Sequence, residues 1–138
     1  MRYCLLVASA VLMATVCFSC MNDEQIEYRR AYTVGEAIYY QHCRNCHGDK
    51  GEGLSALMPP LTDKEFLAKN QKQLACIIKN GANQLLIINK KPYQNQMPPS
   101  GLAPIEIAQV LTYINNNFGN DKGLVTVTTV ESQLKNCN

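Results

Sequence analysis

The sequence predicts an all-α domain gathered around one covalently attached prosthetic group, and three observations carry that prediction. Boxes of the form S/T-x-x-E, which mark helix starts, recur at Thr33–Glu36, Thr62–Glu65 and Thr128–Glu131. Ile107, Leu111, Ile114 and Phe118 follow one another at spacings of four, three and four, a single apolar stripe at helical period. Finally, Cys43-Arg44-Asn45-Cys46-His47 has the C-x-x-C-H form that attaches a c-type haem, and no alternation of strands and helices surrounds it.

The order of residues in that motif follows from its chemistry. Cys43 and Cys46 are spaced to meet the two vinyl groups on one edge of a porphyrin as thioethers, and His47, one residue on, is carried beneath the iron. A structural zinc would need four Cys or His ligands, usually in two paired clusters. The chain has only His42 and His47 and no second C-x-x-C, and a thioredoxin-like redox pair would require flanking strands.

Taken along the chain, the first helix should start at the Thr33 box and carry Ala37, Ile38 and Tyr40 up to the motif. Gly48, Gly51 and Gly53 then mark a loop. The Thr62 box opens a short helix with Phe66 and Leu67, and Gln71–Asn80 reads as another, with Leu74, Ile77 and Ile78 on one face and Gly81 as its stop. Leu85–Ile88 is ambiguous between strand and buried loop, and Asn89–Gly101, broken by Pro92, Pro98 and Pro99, reads as irregular. Pro104 suits the first turn of the striped helix, which Gly119 should end. The Thr128 box opens a short tail helix aligning Val130, Leu134 and Cys137.

At 138 residues and 46% hydrophobic, the chain has room for one small domain. Three Phe, seven Tyr and no Trp make a thin core that a large flat apolar cofactor would fill. The formal net charge is +2, and Arg29-Arg30 and Lys90-Lys91 are isolated pairs best read as solvated surface, so nothing points to nucleic acid.

Arg2 precedes an uncharged, mostly apolar run from Tyr3 to Ser19, the layout of a secretory signal and short for a membrane span. Thioether attachment of haem occurs on the exported side, so address and motif agree. Ser19-Cys20 resembles the end of a bacterial lipoprotein signal, although Cys17 stands where Leu is commonest. Lipidation would account for Cys20 and for the polar stretch Met21–Tyr32 as a tether, and acyl chains would hold the protein on a membrane surface. The alternative is an ordinary secreted protein with a spare thiol.

An iron held by His47 needs either a second protein ligand or an open face. The Met thioether is the usual partner in c-type carriers and raises the potential. Met58-Pro59-Pro60 and Met97-Pro98-Pro99 compete for the position. Met58 lies eleven residues after His47, in the loop leaving the same side, whereas Met97 lies fifty residues on, after helices able to carry the chain around, so Met97 is preferred. His42 reads as helix surface. A metal-bound His usually gives its other ring proton to a carbonyl or carboxylate, and Pro59 or Pro60 could supply a carbonyl.

Together these residues resemble the monohaem class I cytochromes c over roughly Gly35–Phe118. The resemblance implies a small cytochrome c fold, with helices wrapped around one haem c. Gly35 and Tyr39 fit the first helix of that family, and Pro59-Pro60-Leu61 fits its Pro-x-Leu, with the Pro59 carbonyl bonding the ligand His. Asn89, Lys91, Tyr93 and Met97-Pro98 fit its distal loop, and Tyr113 the last helix; Ala103 departs from the usual Ser or Thr cap. The implied haem contacts are thus Cys43, Cys46, His47, Pro59, Leu61, Tyr93 and Met97, with His47 and Met97 on the iron. The implied division is a signal peptide at 1–19, a lipidated Cys20 and tether at 20–32, the cytochrome c domain at 33–119, and a tail at 120–138 whose short helix packs on the domain.

Cys76 and Cys137 remain once the haem and lipid thiols are assigned. In an oxidising compartment they form a candidate disulfide, the alternative being two free thiols. The expected function is electron transfer between redox partner proteins. Such a protein would be lipid-anchored at a bacterial membrane facing the periplasm or cell surface, with no small-molecule substrate. Two rivals are a subunit feeding electrons to a larger oxidase or nitrite reductase, and a haem peroxidase or gas sensor. The last would want a distal His, Arg or acid, where the Met97 loop offers only Tyr93 and amides.

Overall fold

The computed structural model describes residues 23–137, so the signal peptide and Cys20 lie outside the described residues. The elements run α1 (Asp23–His42), α2 (Arg44–His47), α3 (Lys64–Lys69), α4 (Leu74–Asn80), β1 (Leu86–Ile88), β2 (Lys91–Tyr93), α5 (Pro104–Asn115) and α6 (Val127–Leu134). The architecture is helical, as predicted, with one small antiparallel hairpin added.

Helix α1 corrects the expected start at Thr33. It already includes Asp23, the first described residue and ten residues before Thr33. The segment 23–32, expected as a polar tether, is therefore helix. Its reason is tertiary: Tyr28 and Tyr32 stack one turn apart with centroids at 6.0 Å, Tyr32 lies 5.1 Å from the Tyr113 ring, and Ala31 is buried. Thr33, a potential cap, is overridden and sits exposed within the helix.

The core forms where α1 crosses α5. A Cβ on Gly35 would strike the Gln109 carbonyl and come within 3.1 Å of Tyr113 Cβ, so only glycine permits this approach. Below the crossing, Tyr39, Tyr113 and Phe118 form a triangle of rings with centroids 5.3–5.8 Å apart. Each such pair is worth about 1 kcal/mol beyond the area it buries. Ile107, Val110 and Leu111 complete this face.

Helix α5 starts at Pro104 as expected, and the Glu106 carboxylate accepts the Ala103 N–H at 2.7 Å. It ends at Asn115 rather than at Gly119. The Asn116 side chain donates to the carbonyls of Thr112 and Gly123 and accepts from the N–H groups of Lys122 and Gly123, turning the chain back. Phe118 leaves the stripe with φ +54° and closes the aromatic triangle instead.

The remaining starts shift by a residue or a few. Asp63, not Thr62, caps α3, and Leu74 rather than Gln71 begins α4. Thr126, whose hydroxyl accepts the Thr129 N–H at 3.2 Å, starts α6 two residues before Thr128. The ambiguous run Leu85–Ile88 yields strand β1, paired with β2 in the register Leu86 to Tyr93, Ile87 to Pro92 and Ile88 to Lys91. Pro92, expected to enforce irregularity, is accommodated because a two-stranded ribbon has an unpaired edge that needs no N–H there.

The tail packs on the domain through fully buried Val130. Cys76 on α4 and Cys137 beyond α6 form a disulfide with Cα atoms 5.5 Å apart. The Gln133 side-chain oxygen accepts a hydrogen bond from the Ala75 N–H at 3.3 Å.

Candidate functional site

The C-x-x-C-H stretch folds into one helical turn, with the N–H of Cys46 and of His47 both bonding to the Cys43 carbonyl at 3.1 and 2.9 Å. This brings the motif's three side chains into a single turn. Cys43 is half-buried and Cys46 exposed, and both are free thiols. Burial, with Cys46 adding, pushes the Cys43 thiol up to about 11. Tyr39, fully buried, donates its hydroxyl proton to the Gly48 carbonyl at 2.6 Å and fixes the exit from the turn.

His47 is buried, and its Nδ1 lies 2.9 Å from the Pro59 carbonyl oxygen. A carbonyl only accepts, so Nδ1 carries the proton and Nε2 keeps the lone pair that a metal would take. Burial lowers the imidazole pKa below its ordinary 6.5, outweighing the opposing effect of the carbonyl, which keeps the ring in its neutral, ligating form. This is the arrangement expected of Pro59. His42, at the end of α1, is exposed and stands apart from this bond.

The loop after His47 is locked by its own backbone. Gly53 N–H bonds the His47 carbonyl at 2.8 Å, Leu54 pairs with Met58, and Leu61 N–H bonds the Gly51 carbonyl at 2.8 Å. The Asn120 amide donates to the Leu61 carbonyl and to the Ile114 carbonyl, each at 3.3 Å, and so ties the loop to the end of α5. Met58 thus serves as frame for Pro59.

Met97 is seated in the same manner. It exchanges two backbone hydrogen bonds with Ala82, at 2.8 and 2.9 Å, next to Gly81 at the end of α4. A Cβ on Gly81 would strike the Met97 carbonyl, just as one on Gly53 would strike the Met58 carbonyl. Each Met-Pro-Pro triplet therefore rests on a glycine whose next residue pairs with the methionine. Cys43, Leu61 and Met97 all pack against the one hydrophobic core. Tyr93 is buried and its hydroxyl reaches the Ser55 carbonyl at 3.5 Å, joining the hairpin to the His47 loop.

Sequence reasoning missed three supporting residues: Asp63, Gly81 as a seat for Met97, and Asn120. Only Asp63 left a local signal, as one of two adjacent capping residues with Thr62. Among the described residues no group of three or more His, Cys, Asp or Glu is placed to hold a metal ion, so the zinc alternative finds no support.

Two free thiols in one helical turn with a buried imidazole protonated at Nδ1 fit a thioether-bound haem, whose vinyl carbons the sulfurs would take and whose iron Nε2 would be free to hold. Comparison with curated proteins finds no match. The family model described as cytochrome c oxidase, cbb3-type, subunit III, matches residues 30–114, a span that holds Cys43, Cys46, His47 and Met97 and stops short of the tail. Membership of a cytochrome c family implies covalently bound haem c and a haem-based electron-transfer function. The match covers well over half of the chain, which therefore belongs to the cbb3-type subunit III family of cytochrome c domains.

Proposed function

We propose that this protein is an exported, lipid-anchored electron-transfer protein in which His47 and Met97 ligate the iron of a single haem c. When bound, that group supplies a one-electron ferrous/ferric couple. The observation that carries the reading is the His47–Pro59 bond, which leaves Nε2 as a neutral donor directed away from the carbonyl. Cys43 and Cys46 hold the porphyrin edge, and Cys46, the exposed thiol, marks where that edge meets solvent. Met97 would supply the second protein ligand, a soft sulfur that favours the ferrous state and raises the potential. Leu61 and Tyr93 would supply apolar wall to exclude water from that group. A protein so built needs partner proteins as donor and acceptor, and no small-molecule substrate. No helix among the described residues is long and apolar enough to cross a membrane. A lipid on Cys20 would supply the attachment.

The ligand assignment is tested by visible spectroscopy of the oxidised holoprotein beside Met97→Ala. The expected result is low-spin iron with a weak sulfur-to-iron charge-transfer band that the substitution abolishes. High-spin iron in the unsubstituted protein, or tight carbon monoxide binding by its reduced form, would favour a peroxidase or gas sensor. Cys20→Ser should release the protein from membranes in fractionation.

The name of the matched family favours a second reading, in which the chain serves one larger oxidase as an electron-donating subunit rather than a free carrier. Purification from intact membranes separates the two: a stoichiometric haem-copper oxidase travelling with the protein supports the subunit reading.

A further inference from the structure

We propose that Asp63 is a positioning residue for the Met97 ligand, acting through the β-hairpin. The inference rests on the His47/Met97 reading. Its basis is a single carboxylate with two jobs. One oxygen, Oδ1, accepts the N–H groups of Glu65 and Phe66, each at 3.0 Å, and so starts α3. The other, Oδ2, accepts the N–H of Asn89 at 3.1 Å, across 26 residues of sequence. Asp63 therefore bridges the groove between α3 and the hairpin, whose other walls include Phe66, Asn70 and Ile87.

The hairpin needs such a tie. Its strands are three residues each, joined by Asn89-Lys90, both with positive φ, at +51° and +61°. Positive φ at both loop positions is a type I′ turn, which prefers Gly at the second; Lys90 there is strained. A ribbon this short is marginal alone. The hairpin also lies inside the loop whose two ends are the paired Ala82 and Met97, so displacing its tip pulls directly on the strand that leads into Met97. Ile88 and Tyr93 bury the base of the ribbon, whereas among the described residues the side-chain hydrogen bonds that tie the hairpin to the rest are the Asp63–Asn89 bond near its tip and the long Tyr93–Ser55 contact of 3.5 Å.

The test uses the haem-loaded ferric protein and free imidazole, a ligand that binds iron only when Met97 swings away. Asn caps helices as well as Asp does, so Asp63→Asn keeps α3 but turns an amide donor toward the Asn89 N–H. We expect imidazole to bind Asp63→Asn about tenfold more tightly than wild type, the scale of one lost hydrogen bond to a charged group. Lys90→Gly relaxes the turn without touching α3, and in the double variant it should return imidazole affinity most of the way to wild type. In wild-type ferrous protein, hydrogen exchange at the Asn89 amide should be slowed relative to neighbouring turn amides. Unchanged imidazole affinity in Asp63→Asn, a gain that Lys90→Gly does not reverse, or an unprotected Asn89 amide would each overturn the proposal. If the wild-type protein lacks the sulfur-to-iron band, the underlying ligand assignment fails, and the proposal with it.

Discussion

His47 and Pro59, twelve residues apart, share a hydrogen bond of 2.9 Å from Nδ1 to the main-chain carbonyl. The acceptor is backbone, so it is independent of which side chain occupies the position. What must be preserved is the loop shape that presents it, and that shape comes from the Leu54–Met58 and Gly51–Leu61 pairings. Met97 is treated likewise, through Ala82.

Gly35→Ala should invert the usual helix preference. In an exposed helix this change stabilises by roughly 1 kcal/mol. Here the new Cβ meets the Gln109 carbonyl, so α1 and α5 must separate, at a cost of about 3 kcal/mol. Guanidinium unfolding of the holoprotein measures it, and a stability at or above wild type would contradict the crossing.

Gly81→Ala is expected to disturb Met97 more than it disturbs the fold as a whole. Gly81 has φ +77° and ψ −174°, a region essentially reserved for glycine, and its Cβ would strike the Met97 carbonyl. The sulfur-to-iron band should weaken or vanish. Gly101→Ala is the control: Gly101 shares a left-handed φ, +72°, so the backbone strain is retained, but nothing lies within 4 Å of its Cβ position and the band should stay intact.

Replacing Cys76 and Cys137 by Ser should lower stability while leaving the haem spectrum unchanged. The bridge closes a sequence separation of 61 residues, for which the loop-entropy account gives about 4 kcal/mol. Thermal melts in paired oxidised and reduced samples check this: reductant should lower the wild-type Tm and leave the double variant unmoved.

The buried phenols set an alkaline limit. Burial holds Tyr39 well above its ordinary value of 10 and raises Tyr113 to about 12. Both values are higher folded than unfolded, so the stability these groups contribute is complete below pH 10. It is lost progressively as pH rises from 10 to about 12, the window in which the unfolded chain alone gains charge. Tyrosinate absorbance should therefore show a late step coincident with unfolding, and Tyr39→Phe should shrink that step.

What the sequence made legible was what is contiguous or locally patterned. The haem motif, the Pro104 start and the Gly81 stop each lie within a few residues of what they control. The Cys76–Cys137 pair stood out because other thiols were already assigned. The Thr33 box and the Phe118 stripe misled for one reason: both are local signals that Tyr113 overrides, by holding Tyr32 on one side and Phe118 on the other. The Asp63–Asn89 and Asn120–Leu61 ties join residues 26 and 59 apart, and no local pattern announces them.

The early start of α1 sets a scale. Twenty residues of continuous helix span about 30 Å, so the point where the chain enters at Asp23 and the turn that begins at Cys43 lie at opposite ends of one rod. An anchor attached before Asp23 would grip the molecule by its far end. The thiol-bearing turn would then lie about 30 Å of helix away from the anchored end.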